Sequence, residues 1–214
     1  MVKKKTEGNA KNLIPDTPTL FSLKEAASDC KACDLWENAT QTVFGEGAKR
    51  AKVMFIGEQP GNDEDLKGHP FVGPAGRVLD QALEEAGIDR RQTYVTNVVK
   101  HFKWEPRGKR RIHKKPNTTE IEACRPWLEA EIATVRPKIL VCLGATAAQA
   151  LLGKDFRVSR QRGQPIPSPL ADLVMATVHP SSILRATDET REAEMEQFID
   201  DLKIVADALN KESG

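Results

Sequence analysis

No run of about 18 or more apolar residues occurs in this 214-residue chain, so a membrane-spanning helix is not expected. The N-terminus, MVKKKTEGNAKNLIPDTPTL, has no apolar stretch followed by a small-residue cleavage site, and a cytoplasmic location is the expectation. Charge of one sign is missing too: 32 Lys and Arg meet 31 Asp and Glu, for a net charge of +1. A domain held to nucleic acid by bulk charge would show a pI above roughly 9. No GKS or GKT follows a glycine turn, no GxGxxG occurs, and only one CxxC pair is present, which argues against a phosphate loop and against a zinc ribbon. No internal repeat is visible.

What is present is the composition of one globular domain, 39% hydrophobic and 29% charged with a mean hydropathy of -0.47. Residues 1 to 20 are polar and carry Lys3, Lys4, Lys5, Lys11, Pro15 and Pro18, which reads as a loose tail ahead of a domain over 21–214. Four short apolar runs follow: AKVMFIG (51–57), QTYVTNVV (92–99), KILVCLG (138–144) and DLVMATVH (172–179). Near-continuous hydrophobicity is what strands covered on both faces look like.

Helical patterns lie between them. One starts at Pro74 and stops at Gly87, and another runs from about Thr119 to Pro137 with Pro126 inside it. ATAAQALL ends at Gly153, and the last helix carries Phe198, Leu202 and Val205 on one face. Thr119 with Glu122, and Ser22 with Glu25, have the spacing of capping boxes. The alternation predicts a three-layer α/β/α domain around a central four-stranded, mainly parallel sheet. Ligands bind such sheets beyond the carboxyl ends of the strands. Those segments are GEQPGNDEDLKGHPFVGPAG, KHFKWEPRGKRRIHKKP, GATAAQ and HPSSILR.

In a reducing compartment four cysteines are poor disulfide material and point to metal. Cys30 and Cys33 form the CxxC pair, with Cys124 and Cys142 distant from it and from each other. Four thiolates suit an iron–sulfur cluster better than zinc here. The alternative stays open that Cys124 and Cys142 are buried small hydrophobes.

Residues 100 to 115 hold eight Lys or Arg against Glu105 alone, a local charge of +7 interleaved with Phe102, Trp104 and two histidines. With +1 in total, the rest of the chain carries -6. Cations neutralise phosphates and aromatics stack on unpaired bases, so this loop points to single-stranded or distorted DNA. A solvated loop or localisation signal is the plainer reading.

Taken in order, the CxxC pair with two distant cysteines, GEQPG, GHPFVGPAG, TNVVKHFKW, GKRRIH and HPSSILR resemble the family 4 uracil-DNA glycosylases, and more closely their UdgX subgroup. The resemblance covers about Leu20 to Asn210. It implies the uracil-DNA glycosylase fold with an inserted basic loop at 105–116, and a structural 4Fe–4S cluster on Cys30, Cys33, Cys124 and Cys142.

It also implies uracil-containing DNA as the partner, single-stranded DNA being preferred, with the base turned out of the stack. Phe71 would stack on the uracil, Asn97 would read its edge, and Gly57 would shape the floor. His179 would donate to the oxygen on which charge grows. Lys109, Arg110, Arg111, Ser181, Ser182, Leu184 and Arg185 would contact the strand.

Family 4 enzymes usually read GEAPG and lack GKRRIH, and both departures match UdgX, which is trapped covalently on DNA. By that likeness His113 is the nucleophile toward C1′ of the sugar, Glu58 stabilises the cation, and Gln59 fixes the geometry. A conventional turnover glycosylase and a non-catalytic iron–sulfur DNA-binding module are the other expectations. A monomer is the simplest assembly for either activity.

Overall fold

The structure, a computed structural model, describes residues 8–211. In chain order the strands are β1 (Glu46–Gly47), β2 (Val53–Gly57), β3 (Thr93–Asn97), β4 (Trp104–Arg107), β5 (Arg110–His113), β6 (Ile139–Leu143) and β7 (Leu173–Thr177). The helices are α1 (Leu20–Ser28), α2 (Asn62–Lys67), α3 (Pro74–Glu85), α4 (Thr118–Val135), α5 (Ala145–Leu152), α6 (Val158–Gln161), α7 (Pro180–Arg185) and α8 (Asp188–Lys211).

The central sheet has the order β1-β3-β2-β6-β7. Its four long strands are parallel, and β1 adds an antiparallel edge against β3. The sheet is therefore five-stranded, not four-stranded as the sequence predicts, because a two-residue edge strand is too short to leave a periodic signal. Every residue of β2, β3 and β6 is buried, so their hydrophobicity is continuous.

Alternate residues serve two cores. Met54, Ile56, Leu140 and Cys142 pack with α1, α4 and α5, while Val53, Phe55, Val141 and Leu143 pack with α3 and α8. Leu79, Leu83, Phe198 and Leu202 are fully buried in the second core, each contributing about 2 kcal/mol by leaving water.

The capping boxes form three residues (α1) and two residues (α4) ahead of where the sequence places them. Thr19 caps α1 with Ser22 answering it, and Asn117 caps α4 with Glu120 answering. In polar-rich segments the three-residue spacing recurs, and only the pair at the true first turn can close both hydrogen bonds. α4 continues through Pro126.

The stretch read as a loose tail is placed where it is described. Ala10–Leu13 form a 3-10 turn capped by Asn9 and packed against α4, with Ala10 fully buried. One methyl group filling a gap in the core leaves no apolar run to notice. The Lys3 to Lys5 cluster lies outside the described residues. The inserted loop is a two-stranded ribbon, β4 paired antiparallel with β5 from Trp104↔His113 to Arg107↔Arg110.

The four parallel strands end together at Gly57, Asn97, Leu143 and Thr177, and the site lies beyond those ends.

Candidate active site

Gly57 and Asn97 are register partners at the ends of β2 and β3. A side-chain carbon on Gly57 would stand 2.4 Å from Asn97 Oδ1, 2.8 Å from Phe71 Cζ and 3.5 Å from His179 Nε2. The amide, the ring and the imidazole therefore converge over one bare backbone position, and all three side chains line a cavity of about 790 Å³. That volume suits a small ligand such as a nucleobase.

Phe71 holds a left-handed backbone, with φ of 56°, at a cost of about 1 kcal/mol for a residue with a side chain. Gly76 in the first turn of α3 presses on it. A Cβ there would fall 1.8 Å from the Phe71 carbonyl oxygen, so the glycine lets helix and loop meet.

His179 caps α7. The Ser181 amide donates to its Nδ1 at 3.1 Å, with the Ser181 hydroxyl at 2.8 Å. Nδ1 is therefore an acceptor, and the proton of the neutral ring sits on Nε2, which faces Gly57. Burial lowers the His179 pKa to about 4, with Arg185 and His113 adding to the shift. The ring thus offers an uncharged N–H donor to whatever fills the pocket. Phe71 lies beside it, ring centroids 6.2 Å apart.

Glu58 follows Gly57. One carboxylate oxygen accepts the hydroxyl of Thr146 in the first turn of α5, and the other lies 3.3 Å from His113 Nε2. Burial lowers the His113 pKa, and Glu58 opposes that shift. Gln59 anchors the ribbon bearing His113. Its amide donates to the carbonyls of Lys103 (3.3 Å) and Lys114 (2.9 Å), and its oxygen accepts the Lys103 amide at 2.9 Å. Both ends of the hairpin are tied to the residue beside Glu58. Thr146 is a site residue that the sequence reading did not name, although it lies in the strand-end segment GATAAQ.

The basic loop divides in two. Lys100 pairs with Glu131, Lys103 with Glu120, Arg111 with Asp65 and Lys114 with Glu105. Arg111 is thus not the outward DNA contact expected of it. Side chains alternate along β5, and its guanidinium turns in over Phe102 and Trp104 to reach the fully buried Asp65 at 2.6 Å. Lys109 and Arg110 at the turn are exposed. Leu184 on α7 is 41% exposed. Arg185 donates to Ser181 at 3.1 Å, and the Ser182 hydroxyl donates to the His179 carbonyl at 2.8 Å.

All four cysteines are buried. Burial raises Cys33 to about 11, and Cys30 adds to the shift. Burial likewise raises Cys124 to about 12, with Cys33 and Cys30 among its neighbours. Trp127 Nε1 donates to Cys30 Sγ, and the Lys100 amide donates to Cys124 Sγ, both at 3.3 Å. Donors of this kind favour thiolates bound to a metal.

Cys142 faces the same core from β6, and burial raises it to about 12. Four thiols buried in one core are a donor set that suits a soft metal centre. Among the described residues no three His, Cys, Asp or Glu side chains are drawn into metal-holding geometry.

A family model described as the uracil DNA glycosylase superfamily matches residues 44–203. A type-4 uracil-DNA glycosylase of Sulfurisphaera tokodaii is 37% identical over a 174-residue alignment that covers 78% of this chain and 76% of that protein. One from Thermotoga maritima is 40% identical over 164 residues, covering 76% and 82%. One from Archaeoglobus fulgidus is 36% identical over 169 residues, covering 72% and 78%. The chain belongs to the uracil DNA glycosylase superfamily.

Proposed function

We propose that this protein excises uracil from DNA and is then trapped on the abasic sugar through His113. Uracil removal is also what the names of the type-4 relatives state of those proteins.

In this reading the base leaves the stack and enters the pocket, since its glycosidic bond is out of reach inside a duplex. Phe71 stacks on it and Asn97 bonds its edge. As the C1′–N1 bond breaks, its electron pair leaves with the uracil, and the His179 Nε2 proton meets the negative oxygen. The sugar is left as an oxocarbenium-like cation beside Glu58. The neutral His113 ring donates a nitrogen lone pair to C1′ before water does, and the positive charge passes to the imidazole next to the Glu58 carboxylate.

The observation that carries this reading is the 3.3 Å approach of His113 Nε2 to Glu58, on a ribbon fixed by Gln59, at the mouth of the pocket that holds Asn97 and His179. Lys109, Arg110, Leu184 and Arg185 would hold the strand around it. Cys30, Cys33, Cys124 and Cys142 would hold a structural iron–sulfur centre, and no step of the reaction runs through it.

A conventional turnover glycosylase is the second reading, favoured by the type-4 relatives. A denaturing gel separates the two. Incubation with a uracil oligonucleotide should give a heat-stable shifted band in which one chain is consumed per lesion. Abasic product in excess of enzyme, with no shifted band, would establish turnover instead.

A further inference from the structure

Lys100 and Glu131 form an ion pair inside the protein, with side chains 1% and 0% exposed. Removing two charges from water costs more than their attraction returns unless hydrogen bonds satisfy both partners. Here they do. The Lys100 ammonium donates to Glu131, to Thr96 Oγ1 at 2.6 Å and to the Asn97 carbonyl at 2.7 Å. Glu131 in turn accepts from Tyr94, Thr96 and the Gly45 amide.

Two of the three Lys100 acceptors belong to the end of β3, where Asn97 enters the pocket. The next two amides continue the clamp, Val98 donating to the Gly57 carbonyl at 2.9 Å and Val99 to the Glu58 carbonyl at 3.1 Å. The turn from Thr96 to Lys100 therefore sets the backbone position of Asn97 relative to Gly57 and Glu58. An apolar side chain at 100 would fill the space without fixing the Asn97 peptide.

We infer that Lys100, held by Glu131, is a positioning residue for the base reader Asn97, governing recognition of the extruded uracil rather than affinity for the DNA strand. This assignment rests on the glycosylase reading, so wild-type protein is assayed first, and absence of uracil release by it would fail that reading before Lys100 is touched.

The test variant is Lys100→Met/Glu131→Gln, which removes both charges and leaves an acceptor for Tyr94 and Gly45. Its single-turnover release of uracil at saturating protein should fall about 10- to 100-fold, the effect expected of a displacement near 1 Å. Inhibition by free uracil should weaken in parallel, while binding to an oligonucleotide with a tetrahydrofuran abasic analogue stays unchanged.

Thr96→Val keeps both charges and a β-branched residue in the strand. It supplies a milder arm should the double variant fail to fold, with a smaller loss of the same pattern. Unchanged release and unchanged uracil inhibition in any folded variant of this set would overturn the assignment, as would equal losses in uracil and abasic-analogue binding.

Discussion

His113 reaches the pocket across Glu58, its Nε2 lying 3.3 Å from the Glu58 Oε1 atom. In the proposed reaction Glu58 faces the developing cation, and an imidazole against that same carboxylate would give the cation a second fate.

Removing the ring should restore the first fate. With His113→Ala the covalent band is expected to vanish while uracil release continues and product exceeds enzyme, because water then meets the cation unopposed. Glu58→Gln should slow release itself. Persistence of the shifted band in His113→Ala, on a denaturing gel, would remove the nucleophile from the scheme.

His179 has its pKa lowered to about 4 from the ordinary 6.5. The unfolded chain therefore binds more protons than the folded one between those values, and stability falls as pH drops through that window. The expected loss from pH 6.5 to 4 is about 3 kcal/mol at this residue. Urea unfolding at pH 7 and 4.5 should show a shallower loss in His179→Gln, which by contrast releases uracil about 100-fold more slowly than wild type.

Gly57→Ala puts a methyl group 2.4 Å from Asn97 Oδ1. The amide or the backbone must move, and single-turnover release should drop by about 100-fold or more. Circular dichroism and abasic-analogue binding are expected to stay near wild type.

The four buried cysteines are expected to act as one donor set. Cys30→Ala, Cys33→Ala, Cys124→Ala and Cys142→Ala should each purify with little iron and without the brown absorbance of a cluster. Full iron content in any one of these variants would remove that thiol from the ligand set.

Arg110 and Arg111 are adjacent but should behave differently. Arg111→Ala leaves the fully buried Asp65 without its cation, so a stability loss of about 3 kcal/mol is expected in denaturant unfolding. Arg110→Ala should leave stability alone and lower the salt dependence of single-stranded DNA binding by about 0.7 in log–log slope.

Much of this site could be read in the sequence because it lies where the fold puts ligands. Gly57 and Asn97 close strands whose hydrophobicity marks their ends, Glu58 and His179 follow such strands, and the α/β alternation brings those ends together. Side-chain direction could not be read that way. Arg110 and Arg111 look alike in GKRRIH until the register of β5 sends one outward and the other to Asp65. Lys100 was counted as surface charge, and only Glu131, from a helix 31 residues later, shows it to be internal.

The ribbon of β4 and β5 stands outside the central sheet and meets the pocket through Gln59 and the Arg111–Asp65 pair. In the proposed reaction excision runs on the strand ends and trapping on the ribbon. A lineage could then acquire or discard the imidazole by exchanging one short hairpin and a few residues that receive it. Catalysts that let go of DNA and sacrificial binders that do not would then be near neighbours in sequence space.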